Sequence, residues 1–447
     1  MLLMFFAAFL DARPNIILVM ADDMGYECIS ANGGKSYQTP TFERIADEGM
    51  RFSNCYSQPV CTPSRNKIMT GKYNWRNYQR FGRLEKNQMT FAHLLKQAGY
   101  VTGMTGKWQL AGGSNGPAEH LTGMTPTDAG FDEHAFWAYN AELSIEERDR
   151  YASIGLPGKS KTSRFWHPAI IKNGQLVDTG MDDYGPDMFS DFGLDFIERH
   201  KDEEFFLYYP MVLTHSPFVA TPNSKVINET TKFKSKVEPY FGDMVSYSDY
   251  LVGRLIDHVD RLGLSDNTLI LFTGDNGTGR GIQTKLANRV VTGNKAYPPD
   301  AGTHVPMFAR WPGTVPNGLV NDDLIEFSDF FATFADLAGV ELPSDDHFDG
   351  RSFRAQLEGG AGNPREWLFV HYDKDPSLET VPFPRVRFAR TKRYKLYSDG
   401  RMYDVPHDWQ EQQPIDATAA GPEVSRIRAI LQRVLHSMPA WNPRQAE

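Results

Sequence analysis

Cys61-Thr62-Pro63-Ser64-Arg65 sets a sulfur and a guanidinium four residues apart, one turn along the same face of a helix. The pattern predicts a strand over Arg51–Tyr56 and then a helix that opens at Cys61 and runs to Thr70. A cysteine at a helix start lies near free N–H groups and the positive end of the helix dipole, both of which favour an anion. Pro63 suits the first turn, where its missing N–H costs nothing. A catalytic thiol needs a histidine base, and none lies nearby in sequence. Taken alone, the stretch reads equally as a structural cysteine beside a helix cap.

Other reactive side chains follow apolar runs in the same way. Asp22-Asp23 follows Asn15–Ala21, Lys107 follows Tyr100–Met104, His215 follows Glu204–Leu213, and Asp275-Asn276 follows Asn267–Thr273. Lys295 lies in a polar loop that runs from Gly293 to Pro306 and includes His304. Each is an ordinary turn or loop residue when taken singly. Together, Asp22, Asp23, Asp275 and Asn276 offer three carboxylates and an amide oxygen, a set that suits Ca2+ or Mg2+ better than zinc. Arg65, Lys107, His215 and Lys295 supply cations for a tetrahedral oxyanion. A metal and several cations around a nucleophile is apparatus for displacement at sulfur or phosphorus.

The elements that must position these groups read as α/β. NIILVMA (15–21), EFFLYYPMVL (204–213) and NTLILFT (267–273) are unbroken apolar runs, the mark of strands buried on both faces of a mainly parallel sheet. Sites on such sheets gather at the carboxyl ends of strands. Helices are predicted over Pro40–Met50, Thr90–Gly99, Pro186–His200, Lys236–Leu262 and Glu326–Leu337, with a strand over Met307–Trp311. Gly112–Gly185 is rich in Gly, Pro and polar residues and reads as long loops with little regular structure, placed to shape a pocket. After a linker over Gly339–Gly350, Trp367–His371, Val386–Ala389 and Tyr394–Ser398 read as a small antiparallel sheet, closed by a helix over Gly421–Leu435. This divides the chain into a possible signal segment (1–12), a catalytic domain (13–345) and a C-terminal subdomain (346–447).

The chain has 447 residues, 40% hydrophobic and 13% aromatic, and suits packed globular domains. A net charge of −9 without a basic block argues against nucleic acid. Three cysteines, Cys28, Cys55 and Cys61, show no zinc spacing. The apolar run Met1–Leu10 is too short to span a membrane and resembles a secretory leader without its basic start, which points to a periplasmic or secreted protein.

C-x-P-S-R at 61–65 resembles the signature of the sulfatase family. The order of the other motifs resembles that family over nearly the whole chain: DD, GKW, TH-x-PF, DNG and a lysine loop before a VP strand. The resemblance implies an alkaline-phosphatase-like fold. It implies that Cys61 is oxidised to formylglycine by a maturation enzyme, and that calcium is held by Asp22, Asp23, Asp275, Asn276 and modified residue 61. It also implies roles: modified Cys61 attacks sulfur, Arg65 stabilises that nucleophile, Lys107 and Lys295 neutralise sulfate oxygens, and His215 protonates the departing alcohol.

One position departs from the family. GKW is commonly followed by histidine, thought to act as a base during sulfate release, but residue 109 is glutamine, which cannot serve as one near neutral pH. Either His304, where the family often has arginine, replaces it, or Gln109 marks a subgroup with different substrate contacts. Gln109 and His304 therefore join Lys107, His215 and Lys295 as expected substrate contacts. The expected activity is hydrolysis of a sulfate ester, with a sulfated carbohydrate favoured over a small aryl ester. The alternatives are a formylglycine-dependent phosphonate or phosphodiester hydrolase, and a non-catalytic binding protein on the same fold.

Overall fold

A computed structural model describes residues 13–112, 121–151, 162–234, 239–418 and 420–441. The expected signal segment, 1–12, lies outside the described residues, as does the predicted start of the helix at Lys236. In chain order the strands are β1 (Asn15–Ala21), β2 (Met50–Tyr56), β3 (Val101–Gly106), β4 (Glu133–Trp137), β5 (Ile170–Lys172), β6 (Gln175–Leu176), β7 (Phe205–Pro210), β8 (Thr268–Gly274), β9 (Gln283–Leu286), β10 (Arg289–Thr292), β11 (His304–Arg310), β12 (Leu319–Glu326), β13 (Leu368–Tyr372), β14 (Val386–Arg390), β15 (Tyr394–Tyr397) and β16 (Met402–Asp404). Ten of them form one sheet in the order β12-β2-β11-β8-β1-β7-β3-β4-β5-β6. The pairs β12–β2, β8–β1, β1–β7, β7–β3 and β3–β4 are parallel, while β11 and the β5–β6 edge run antiparallel. The expected mainly parallel sheet is thus present, with an antiparallel strand inserted between β2 and β8.

β1 is central because every residue in it is apolar or satisfied at both faces. Ile16, Leu18 and Met20 enter one core and Ile17, Val19 and Ala21 the other, as the two-residue period of a strand requires. The first core packs beneath helix α2 (Cys61–Thr70) and the helices Phe91–Gln97 and Asp329–Leu337. The second packs beneath α1 (Pro40–Glu48), Gly185–Arg199 and Pro239–Arg261. Helices therefore cover both faces of the sheet.

Gly49 ends α1, and Met50 already belongs to β2. Thr90 caps the helix Phe91–Gln97 through its side chain, which accepts from His93 N. Residues 112–185 depart from the loop expectation. They carry β4, which extends the parallel sheet, the helix Ile145–Tyr151 and the β5–β6 hairpin, whose turn is Asn173-Gly174 with φ of 48° and 82°. The helix expected from Glu326 begins at Asp329, because Glu326 closes β12 and its N–H donates to the Asp329 carboxylate at 2.9 Å. The strand expected at Met307 begins at His304.

The C-terminal sheet is antiparallel in the order β13-β14-β15-β16, and the helix Pro422–Ser437 packs on it through Leu431 and Val434. It also meets the main sheet directly. Lys67 of α2 pairs with Glu326 and donates to Phe369 O at 3.2 Å. Arg365 pairs with the same Glu326 at 3.0 Å and with Asp329.

Candidate active site

β8, β1, β7 and β3 are consecutive and parallel, so their carboxyl ends lie along one edge of the sheet. β2 joins them there, because two antiparallel steps through β11 restore its direction. The residues just beyond these ends are Asp275-Asn276, Asp22-Asp23, Lys107 and, after β2, Cys61. Two glycines let the backbones close. Gly106 has φ of 122°, and a Cβ there would stand 2.0 Å from Pro210 O. A Cβ on Gly277 would stand 1.9 Å from Ala301 O.

The acidic residues meet. Asp23 N donates to Asp275 Oδ1 at 3.1 Å, and Asn276 Nδ2 donates to Asp23 Oδ1 at 2.9 Å. Asp23 holds φ of 64°, a left-handed conformation that Asp tolerates better than most residues. Each carboxylate has a cation. Lys107 Nζ lies 2.7 Å from Asp22 Oδ2, Lys295 Nζ lies 2.6 Å from Asp23, and Arg65 donates to Asp275 Oδ2 through Nε and Nη2 at 3.1 and 2.8 Å. Arg65 also donates to Lys107 O at 3.1 Å, which ties α2 to the end of β3.

Burial and neighbouring charge move these groups in opposite directions. Burial raises Asp22, but Lys107, His215 and Arg65 outweigh it and hold the carboxyl well below its usual range. Asp23 is likewise held low, with burial outweighed chiefly by Lys295 and His215. Asp275 is pushed up to about 6 by burial and by repulsion from Asp22, against the pull of Arg65. His215 is pushed down to about 3 by burial and by Lys295. Its Nδ1 lies 2.7 Å from Ser216 O, a carbonyl that only accepts, so Nδ1 is the donor. Nε2 lies 3.8 Å from Asp23 Oδ2.

Two oxygens of this cluster, Asp22 Oδ1 and Asn276 Oδ1, are buried and have no hydrogen-bond partner among the described residues. A bare buried acceptor costs about 1–3 kcal/mol. The donor set, oxygen-rich and anionic, fits a hard divalent cation that takes up these lone pairs. Ligand atoms of Asp22, Asp23 and His215 also lie within 4.8 Å of one another, which brings His215 to the edge of the same cluster.

Cys61, His215, Lys295 and Gln109 line one cavity of about 390 Å3, with Phe81, Lys374 and Phe383 on its outer wall. Gln109 takes φ of 51°. Of the expected substrate contacts, His304 and Lys107 are not among the residues that line it; Lys107 stays within the acidic cluster on Asp22, whereas His304 lies away from it. It is stacked between Tyr26 and Tyr56, with ring centroids 4.2 and 4.9 Å away. Its Nε2 lies 2.9 Å from Ser53 O and its Nδ1 3.3 Å from Asp300 Oδ2, and it lines a separate small cavity with Trp409. The first residue of β11 is thereby fixed in the packing between β2 and the loop after β1.

Sequence reasoning missed Arg164. Its guanidinium stacks on Trp137 at 4.1 Å, donates to Ser216 O at 3.0 Å and comes within 3.8 Å of Asp22 Oδ2. It belongs to the stretch read as loop, where no neighbouring motif marks it out.

Comparison with known proteins identifies the family. Residues 14–340 match the family described as sulfatase, and residues 294–438 match N-sulphoglucosamine sulphohydrolase, C-terminal. The chain belongs to the sulfatase family, the sulfuric ester hydrolases. An arylsulfatase of Hemicentrotus pulcherrimus is 30% identical across 81% of this chain, which spans 65% of that protein's length. The N-acetylgalactosamine-6-sulfatase of Canis lupus familiaris is 30% identical across 80% of this chain and 69% of its own. A sulfatase structure from a glycosaminoglycan-metabolism locus of Bacteroides thetaiotaomicron shares the fold with a TM-score of 0.72, at 23% identity over 95% of this chain and 99% of the other.

Proposed function

We propose that this chain hydrolyses the sulfate ester of a sulfated carbohydrate. The nucleophile is a formylglycine derived from Cys61, and a divalent cation, Ca2+ before Mg2+, is held by Asp22, Asp23, Asp275 and Asn276. The observation that carries the reading is the pair of buried oxygens without a hydrogen-bond partner among the described residues, Asp22 Oδ1 and Asn276 Oδ1, in a cluster joined through Lys295 to the cavity of Cys61. A cavity of about 390 Å3 suits a sugar-sized group, and the 6-sulfatase relative supports a carbohydrate ester.

Formylglycine supplies a hydrated aldehyde as the attacking oxygen, and the cation supplies charge that lowers that oxygen's pKa and polarises the sulfate. The chain's own residues do the rest. Arg65 holds Asp275 in place and fixes the Lys107 carbonyl. Lys107 and Lys295, anchored on neighbouring carboxylates, present their ammonium groups to the sulfate oxygens. Burial and then Lys295 disfavour a protonated His215, and a bound anion counters both by stabilising the imidazolium, whose Nε2 proton passes to the bridging oxygen of the departing alcohol. Gln109 contributes a hydrogen bond only. The reading asks for a formylglycine-generating partner and places the mature protein in the periplasm or outside the cell. No helix among the described residues is long and apolar enough to cross a membrane.

The test is co-expression with a formylglycine-generating enzyme, peptide mass analysis at residue 61, and turnover of para-nitrophenyl sulfate against phenyl phosphonate on the same preparation. An aldehyde at residue 61 with preferred, cation-dependent sulfate release is expected. A retained thiol without turnover would make this a binding protein, and preferred phosphonate cleavage would make it a phosphonate hydrolase.

A further inference from the structure

The cavity of Cys61 has a second cation on its wall. Residues 373–385, between β13 and β14, form that wall and are pinned from several sides. Arg385 pairs with Asp373 at 3.1 Å and donates to Leu378 O and Glu379 O, each at 2.6 Å. Tyr78 Oη donates to Lys374 O. Lys374 is therefore held by its backbone, and its ammonium lies 3.5 Å from the Phe383 ring centroid and 5.7 Å from that of Phe81.

The other cavity lysine is committed, because Lys295 sits on Asp23. Among the described residues Lys374 Nζ has no carboxylate within ion-pair distance and no hydrogen-bond acceptor; only the two rings attend it. Asp375, next to it on the wall, turns Oδ1 to Ser377 N and Oγ at 3.2 and 2.6 Å. Burial lowers the Lys374 pKa and Lys295 adds to it, against weaker opposition from Cys61 and Asp375, neither of which pairs with the ammonium. A half-buried cation without an anion is costly to keep and gains on binding one.

We propose that Lys374 is an anion subsite: it receives a second acidic substituent of the substrate's sugar, a uronate carboxylate or another sulfate, while the scissile sulfate lies at Cys61. Phe81 and Phe383 give the sugar ring flat apolar faces beside that charge. The proposal rests on the sulfated-carbohydrate reading of the same site. It predicts preference for substrates carrying at least two negative groups.

The experiment is calorimetric affinity in calcium with the full chain carrying Cys61→Ser, which prevents turnover. Three probes are compared: a 6-sulfated chondroitin disaccharide, its carboxyl-reduced form, and its disulfated form. With Lys374 present, at least one additional anion should tighten binding about tenfold, or about 1.4 kcal/mol. Loss of preference for the unreduced form identifies the carboxylate as the second anion, and loss for the disulfated form identifies sulfate. Lys374→Met and Lys374→Gln, each checked for native circular dichroism, should reduce the preference to about twofold or less, and Lys374→Arg should keep it. No preference in the presence of Lys374, or a preference that survives both neutral variants, overturns the subsite. Failure of the parent reading is separate: it appears as absent sulfate turnover by the matured protein, whatever the affinities.

Discussion

Replacing Arg65 by methionine tests the electrostatic framework of the site. Arg65 is 1% exposed and Asp275 fully buried, and the guanidinium gives two bonds to Asp275 Oδ2 and one to Lys107 O. Methionine fills similar volume but leaves Oδ2 bare beside Asp22. Breaking a buried pair by removing one partner costs about 3–5 kcal/mol. The variant should also acquire a distinctive pH dependence. Asp275 already stands at about 6, through burial and Asp22, with Arg65 opposing them. Without Arg65 it rises further, and each added unit is worth about 1.4 kcal/mol. A carboxyl whose folded pKa exceeds its unfolded value of 3.8 keeps a proton that the unfolded chain releases, so stability falls as pH rises through that window. The deficit relative to the parent protein should therefore be largest near pH 8 and shrink by about 1 kcal/mol or more near pH 5. Urea unfolding of the chelator-treated proteins at both pH values measures it. A deficit below about 1 kcal/mol, or one equal at both pH values, would refute the reasoning.

Asn276→Ala removes the Oδ1 acceptor and the Nδ2 bond to Asp23, and calcium affinity measured by competition with a chelating dye should fall about tenfold or more; unchanged affinity would remove Asn276 from the ligand set. Gln109→His restores a base on the cavity wall and should raise kcat on para-nitrophenyl sulfate about tenfold, the lower part of the general-base range, whereas a fall would show that glutamine serves this site in its own right. His304→Ala should leave kcat within about twofold yet cost about 1–3 kcal/mol of stability, through its bond to Ser53 O and its stacking on two tyrosines. A tenfold loss of kcat without unfolding would return His304 to the chemistry.

What the sequence disclosed follows from how much of each element's environment is local. Asn15–Ala21 is recognisable because burial on both faces forces an unbroken apolar run, and the strand occupies those seven residues. The helix from Cys61 to Thr70 carries its own proline start and glycine stop. The polar residues just past strand ends were legible as one cluster because parallel neighbours bring those ends together. β4 was not legible: Glu133-His134-Ala135-Phe136-Trp137 is short and has no clean period, and it becomes a strand only beside β3. The β5–β6 hairpin did carry a signal, Asn173-Gly174, which favours the left-handed turn it adopts. His304 misled because reactivity was inferred from residue type, whereas two aromatic neighbours from distant segments decide where its ring lies. Arg164 and Lys374 stand in segments without motifs, and their importance comes from tertiary neighbours alone.

The enclosure of α2 imposes an order of events on the life of this chain. All ten of its residues are buried, Cys61 is 3% exposed, and Lys67 bolts the helix to the last strand of one sheet and the first of another. A protein-sized catalyst acting on that sulfur must reach it while the polypeptide is still open, before the C-terminal quarter arrives. A small ester would need no such timing, since the cavity lined by Cys61 stays open in the folded chain. On the proposed reading, maturation and turnover thus use the same side chain by different doors.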